Sequence, residues 1–337
     1  MAFSPTTDPL YDRAGAAESI HTLMTTAISE TSNTSLLHPQ TFIQLLKAEK
    51  LRAEVKEIGT PCLPRLVAAG TNDEILVTVI GVLDHCSLLP AAAAGLSKAR
   101  FLTQSVTING LGDPIFNKDV DALFMIYQFM DRHFASGRLA AWERRGNGTV
   151  HVSSRVLTDS RYAGDSQAEE IPSALDPRGV LQKLADQSGL RYLEDNVVEY
   201  SELYQDKLQP ALPVVFRPGD IVQATIAFAL YPSGKGTYSF QPVLRLLHFL
   251  DGDFTDDARL RATTQKIQTP SSSAASSSSP PVLKRRRMFP TQTSAPVPDS
   301  AAASVTSPPS PPHVPTDPGS VTPMTAFSSQ VQEMHLG

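Results

Sequence analysis

The chain has 337 residues, 34 of them acidic and 29 basic. This mildly acidic balance argues against a strong, sequence-blind grip on nucleic acid, which needs many Lys/Arg to phosphate contacts. Two cysteines, Cys62 and Cys86, are too few for a disulfide framework or a cysteine-based zinc site, and a reducing compartment is expected.

Composition marks off three stretches. Residues 1–70 read as a helical N-terminal region, 71–263 as the main α+β domain, and 264–337 as a Ser/Pro/Ala-rich tail expected to be disordered. The tail carries a net charge of +2 and the body −7. Neither a signal peptide nor a membrane span is expected. Asp8 and Asp12 occupy the N-terminus, and the longest apolar run, Ile75 to Leu83, stops at Asp84-His85. The sequons at Asn33 and Asn147 are then expected to stay unglycosylated.

In chain order, residues 15–30 and 40–57 are predicted as helices, the second from Phe42, Leu45, Leu46, Val55 and Ile58. A β-branched run from Ile75 to Leu83 predicts a buried strand, and Phe101 to Ile108 a second one stopped by Asn109-Gly110. The most apolar helix is expected over 119–135. Trp142 to Val156 reads as a hairpin turned at Gly146-Asn147-Gly148. A helix is expected from Arg178 to Gln187, closed by Gly189.

Two long strands follow, 220–231 and 237–250, flanking Pro232-Ser233-Gly234-Lys235-Gly236. Strict alternation puts Tyr238, Phe240, Leu244, Leu246 and Leu250 on one face of the second. The order strand, strand, inserted helix, hairpin, helix, strand, strand is that of an OB-like five-stranded β-barrel with inserted and N-terminal helices. Another α+β arrangement is the alternative.

The segment Phe216-Arg217-Pro218-Gly219-Asp220-Ile221-Val222, followed by the hairpin and by Leu244-Arg245-Leu246-Leu247 and Leu250-Asp251-Gly252, resembles a stretch of uncharacterised proteins of mushroom-type fungi. More loosely it resembles the closing hairpin of OB-fold single-stranded-DNA-binding domains. The first resemblance implies no activity; the second implies the fold and a nucleic-acid partner.

On such a barrel the closing hairpin offers Lys235 at its tip, Arg245 for a phosphate, and Tyr231 or Tyr238 for base stacking. A second basic and aromatic group is Arg144-Arg145 beside Trp142, with Arg138, His151, Arg155 and Arg161 nearby. Solvated sheet and hairpin surfaces are the plainer reading of both. In Asp84-His85-Cys86, neighbours on a strand face opposite ways, so Asp84 cannot orient His85 as a nucleophilic triad requires. Asp251-Gly252-Asp253 with Asp256-Asp257 lacks the spacing of a calcium loop and reads as a solvated acidic turn. No catalytic residue, metal or cofactor is expected.

The run Lys284-Arg285-Arg286-Arg287 looks like a nuclear import signal, which implies an import receptor as partner and the nucleus as location. The sequence therefore points to a non-enzymatic nuclear protein that binds single-stranded nucleic acid. A nuclear protein-protein scaffold is the alternative, and an enzyme ranks last.

Overall fold

The structure is a computed structural model, and it describes residues 4–30, 37–90, 96–142, 148–205, 207–234 and 236–268. Of two compact units, Met1–Ser273 and Ala274–Gly337, the described residues all belong to the first. The run Lys284 to Arg287 and residues 269–337 of the expected disordered tail lie outside the described residues, as do Arg144, Arg145 and Lys235; residues 264–268, expected in that tail, are helical instead.

The elements in chain order are α1 (Arg13–Glu30), α2 (Pro39–Lys47), β1 (Ala53–Ile58), β2 (Leu63–Ala68), β3 (Val77–Ser87), β4 (Thr103–Asn109), α3 (Pro114–Asp131) and β5 (Thr149–Arg155). After these come β6 (Thr158–Asp159), α4 (Ser160–Ala163), α5 (Val180–Ser188), β7 (Leu190–Arg191), β8 (Glu199–Tyr204), β9 (Lys207–Pro210), β10 (Ile221–Gly234), β11 (Thr237–Asp251) and α6 (Asp253–Gln268).

One mixed sheet dominates, with β5-β4-β3-β10-β11-β8-β9 as its path and the β1–β2 hairpin attached to β10 where Ala229 pairs with Arg65. The protein is therefore α+β, but the expected closed barrel does not form. Among the described residues no ladder joins β5 to β11, and that gap is crossed by a side chain: Gln241 Nε2 donates to the Ser153 carbonyl at 3.1 Å and to its Oγ at 2.7 Å.

The helices of the N-terminal region share the core of the sheet. Ile20 and Met24 of α1 and Phe42 of α2 are fully buried in one cluster with Val77, Val79, Ile108 and, from α3, Phe116, Leu123 and Ile126. Asp113 caps α3, its Oδ1 accepting from Ile115 N at 2.7 Å and Phe116 N at 2.9 Å, with Pro114 at the first helical position. The helix starts there, five residues before the sequence expectation.

Three expectations need correction. The helix expected over 40–57 ends at Lys47, because Glu49 takes a left-handed φ of 55° that an α-helix cannot continue through. Residues 53–58 then pair with β2 as a strand. The hairpin expected at 142–156 is half present: β5 pairs with β4, while the segment before Trp142 runs beside β11, with Tyr238 N donating to Arg138 O at 2.7 Å and Ala140 N to Tyr238 O at 2.8 Å. The 220–250 hairpin forms as expected, but with three register shifts, of which the middle one matters most here. Thr225 pairs with Leu246 and Ile226 with Leu244, so Arg245 is an extra residue in β11. The alternation flips there, and Leu247 and Phe249, rather than Leu246, share the face of Leu244.

Candidate nucleic-acid interface

Cross-strand partners point to the same side of a sheet, so the β10–β11 register sorts the candidate residues by face. Tyr231 pairs with Ser239, Ala229 with Gln241 and Ala227 with Val243. On this side the small residues Ala227, Ala229 and Val243 are buried and pack with Leu76 and Tyr231. The half-buried Tyr231 receives the guanidinium of Arg155, from the end of β5, 5.0 Å above its ring centroid. Burial holds the Tyr231 phenol above its ordinary pKa, against the opposing charges of Arg65, Arg155 and Arg245. Arg155 sits over the ring, while Arg65 and Arg245 act on the phenol through their charge.

Tyr238 pairs with Pro232 and points to the opposite side. Its ring lies 5.1 Å from Phe134, and the Arg138 guanidinium sits 6.0 Å from its centroid, with Arg138 Nε donating to Gly236 O at 3.1 Å. Beyond it, Phe240 packs edge-on to Trp142 at 5.1 Å and against Phe228 at 5.8 Å. The structure therefore brings Arg138 from one predicted cluster to Tyr238 from the other, and Arg155 to Tyr231. The two pairs lie on opposite faces.

Arg245, expected to meet a phosphate, is 15% exposed and engaged with carboxylates. Its Nε and Nη2 hold the two oxygens of Glu74 at 2.9 and 2.7 Å, and Nη1 donates to Asp195 O at 3.0 Å. Arg65 of β2, 3% exposed, joins from the other side, pairing through Nη1 with the same Glu74 and through Nη2 with Asp195 Oδ2 at 2.7 Å. Burial pushes the Glu74 carboxyl up, but the hydrogen bonds and charges of Arg245 and Arg65 outweigh it and hold the group below its ordinary pKa. These four side chains wall a cleft of about 620 Å³, also lined by Leu76, Glu194, Glu199, Thr225 and Leu246. Sequence reading missed the network, since its members are as much as 171 residues apart and no local spacing marks them.

Of the remaining sequence candidates, the Asp84-His85-Cys86 step is interrupted, because the β3–β4 register shifts between Leu83 and His85. Burial, and then the charge of Asp220, push the Cys86 thiol up to about 11, far from a reactive thiolate. In the Arg-Pro-Gly-Asp segment, Arg217 Nη1 holds Asp256 at 2.8 Å and Asp220 Oδ2 accepts from Arg217 N at 2.7 Å, which ties the start of β10 to α6. Among the described residues no three His, Cys, Asp or Glu side chains are placed to share a metal ion.

No known protein family's profile matches the chain, and no curated protein matches it either. Among solved structures it is similar to gp2.5, a single-stranded DNA binding protein encoded by bacteriophage T7, at 10% identity and a TM-score of 0.29, over 53% of this chain and 87% of that one. It is also similar to the single-stranded DNA-binding protein from bacteriophage Enc34, at 10% identity and a TM-score of 0.25, over 59% of this chain and 90% of that one. A C-terminal truncation of the latter gives 9% identity, a TM-score of 0.26 and coverage of 59% and 95%. At these scores the likeness carries no inference about this chain. None of the three is a fungal protein.

Proposed function

We propose that the chain is a non-enzymatic binding protein that takes up single-stranded nucleic acid on the β5–β10–β11 surface around Tyr231 and Arg155. The observation that carries this reading is the Arg155 guanidinium stacked on the half-buried Tyr231 ring of an open sheet. Single strands are held by cations that track phosphate and by aromatic faces that stack on bases. The strand order supports it. The sequence β5-β4-β3-β10-β11 is the 3-2-1-4-5 order of a Greek-key sheet of OB type, opened between its first and last members. Arg144, Arg145 and Lys235 are the further phosphate contacts in this reading, and Arg138 with Tyr238 borders the same hairpin tip. Nuclear residence through Lys284 to Arg287 belongs to the proposal too.

The test is fluorescence anisotropy of the full chain with a labelled single strand, at low and moderate salt, against a duplex of the same sequence. Saturable binding that prefers the single strand is expected. Tyr231→Leu, which removes the stacking face but keeps an apolar side chain, should weaken it about tenfold, in the range of one base–aromatic stack. Changing Arg144, Arg145 and Lys235 together to Ala should flatten the salt dependence. Absence of binding at low salt overturns the reading.

One observation favours a second reading, a protein-interaction scaffold. On and after the β8–β9 hairpin, Leu203, Leu208, Leu212 and Val214 are all exposed, between 49% and 69%. An interface built on these residues would bind with little dependence on salt, which separates the two readings.

A further inference from the structure

The cleft beside Arg245 is charged against the proposed nucleic-acid ligand. Its walls hold two cations, Arg65 and Arg245, whose guanidiniums are taken up by Glu74 and Asp195. The exposed Glu194 and Glu199 also line it, which leaves the site with two carboxylates in excess. Phosphate is therefore repelled from it. A second observation is independent of charge. Thr225 lines the cleft from β10, is 3% exposed, and its Oγ1 has no hydrogen-bond partner although it is shut off from bulk solvent. A buried hydroxyl without a partner is costly, so it marks a place where a donor or acceptor is missing.

We propose that this cleft is a binding site for an organic cation, a guanidinium or alkylammonium group that meets Glu194 and Glu199 at the rim and donates a hydrogen bond to Thr225 Oγ1. The same wall shows how such a group is held: Glu74 already grips the Arg245 guanidinium with both oxygens. Leu76, Ile58 and Leu246, all half-buried, supply apolar surface for the stem of a long cationic side chain. A metal ion is the weaker candidate, because no three carboxylates converge there. The extra residue Arg245 shapes the site, since it turns both itself and Leu246 toward the cleft.

The experiment titrates the full chain, by anisotropy, with a fluorescein-labelled tetra-arginine peptide, and in a separate arm competes that peptide with spermidine. Saturable binding is expected, weakened about tenfold in Glu194→Gln/Glu199→Gln, the loss of charge-assisted contacts. Thr225→Val keeps the shape and should weaken binding about fivefold, the scale of one hydrogen bond. The exposed pair Glu18→Gln/Glu49→Gln carries the same charge change at positions that do not line the cleft and should leave binding unaltered. Competition by spermidine at matching concentration names a free polyamine as the source of the cation; peptide binding that spermidine leaves intact names a protein side chain. Equal weakening by both glutamate pairs, or no saturation in either arm, overturns the proposal. Melting temperatures measured in parallel keep loss of folding apart from loss of binding.

Discussion

Glu74 accepts from Arg65 and Arg245 at once, so a single carboxylate ties β2, on the attached hairpin, to the bulged position of β11. Its pKa is held low in the fold, so it binds its proton less readily there than in the unfolded chain, where the ordinary value is about 4.3. The sign follows: Glu74 contributes stability that is fully present above that value and is lost as pH falls through the lowered one. Glu74→Gln should cost about 2 kcal/mol near pH 7, because it leaves two guanidiniums short of a charge. The gap in urea midpoint between wild type and variant should shrink below about pH 4. A gap that stays constant from pH 7 to pH 3 would refute the assignment. None of this was visible from the residue types. The sequence presents Arg245 as a cation on an alternating strand, and only the fold supplies Glu74 and Asp195 to neutralise it.

At the scale of elements, the turn from β4 into α3 is built around a missing side chain. A Cβ on Gly110 would lie 2.2 Å from Phe116 Cγ, well inside contact distance, and Phe116 is fully buried. Gly110→Ala should therefore cost about 2 kcal/mol through overpacking. Since the cost arises from one contact, Gly110→Ala combined with Phe116→Leu should be less destabilised than the two changes summed, a coupling that thermal melts of the four proteins would detect. Additive effects would show that the strain lies elsewhere. Elements with a strong local signal were legible: the β10–β11 hairpin from its alternation and its Pro-Ser-Gly-Lys-Gly turn, and α5 from its closing Gly189, which adopts the left-handed φ of 63°. What could not be read was set by partners distant in the chain. β1 is a strand because β2 pairs with it, and Trp142 leaves the expected hairpin because Phe240 and Phe124 receive its ring. The bulge at Arg245 leaves no compositional mark at all.

For the whole molecule, the proposed ligand surface and the proposed address fall in different units, Met1–Ser273 and Ala274–Gly337. The two functions are then separable by mutation. Changing Lys284 to Arg287 to alanine should abolish nuclear accumulation of a fluorescent fusion and leave single-strand affinity within about twofold, since none of the four residues belongs to the proposed ligand surface. A fusion that stays nuclear would show that the run is not the address. The candidate site was legible in its ingredients and not in its pairing. Arg155 and Tyr231 stand in separate sequence clusters, and the contact of β5 with the hairpin makes them one group. β10 has one more consequence. It is hydrogen-bonded to β3, β11 and β2, and without it the large sheet falls into three pieces with no strand ladder between them. A ribosome delivers this strand late, after the residues of nine others. Until Ile226 has emerged, the apolar edge of β3 waits without its neighbour, and a nascent chain in that condition is where a chaperone would be needed.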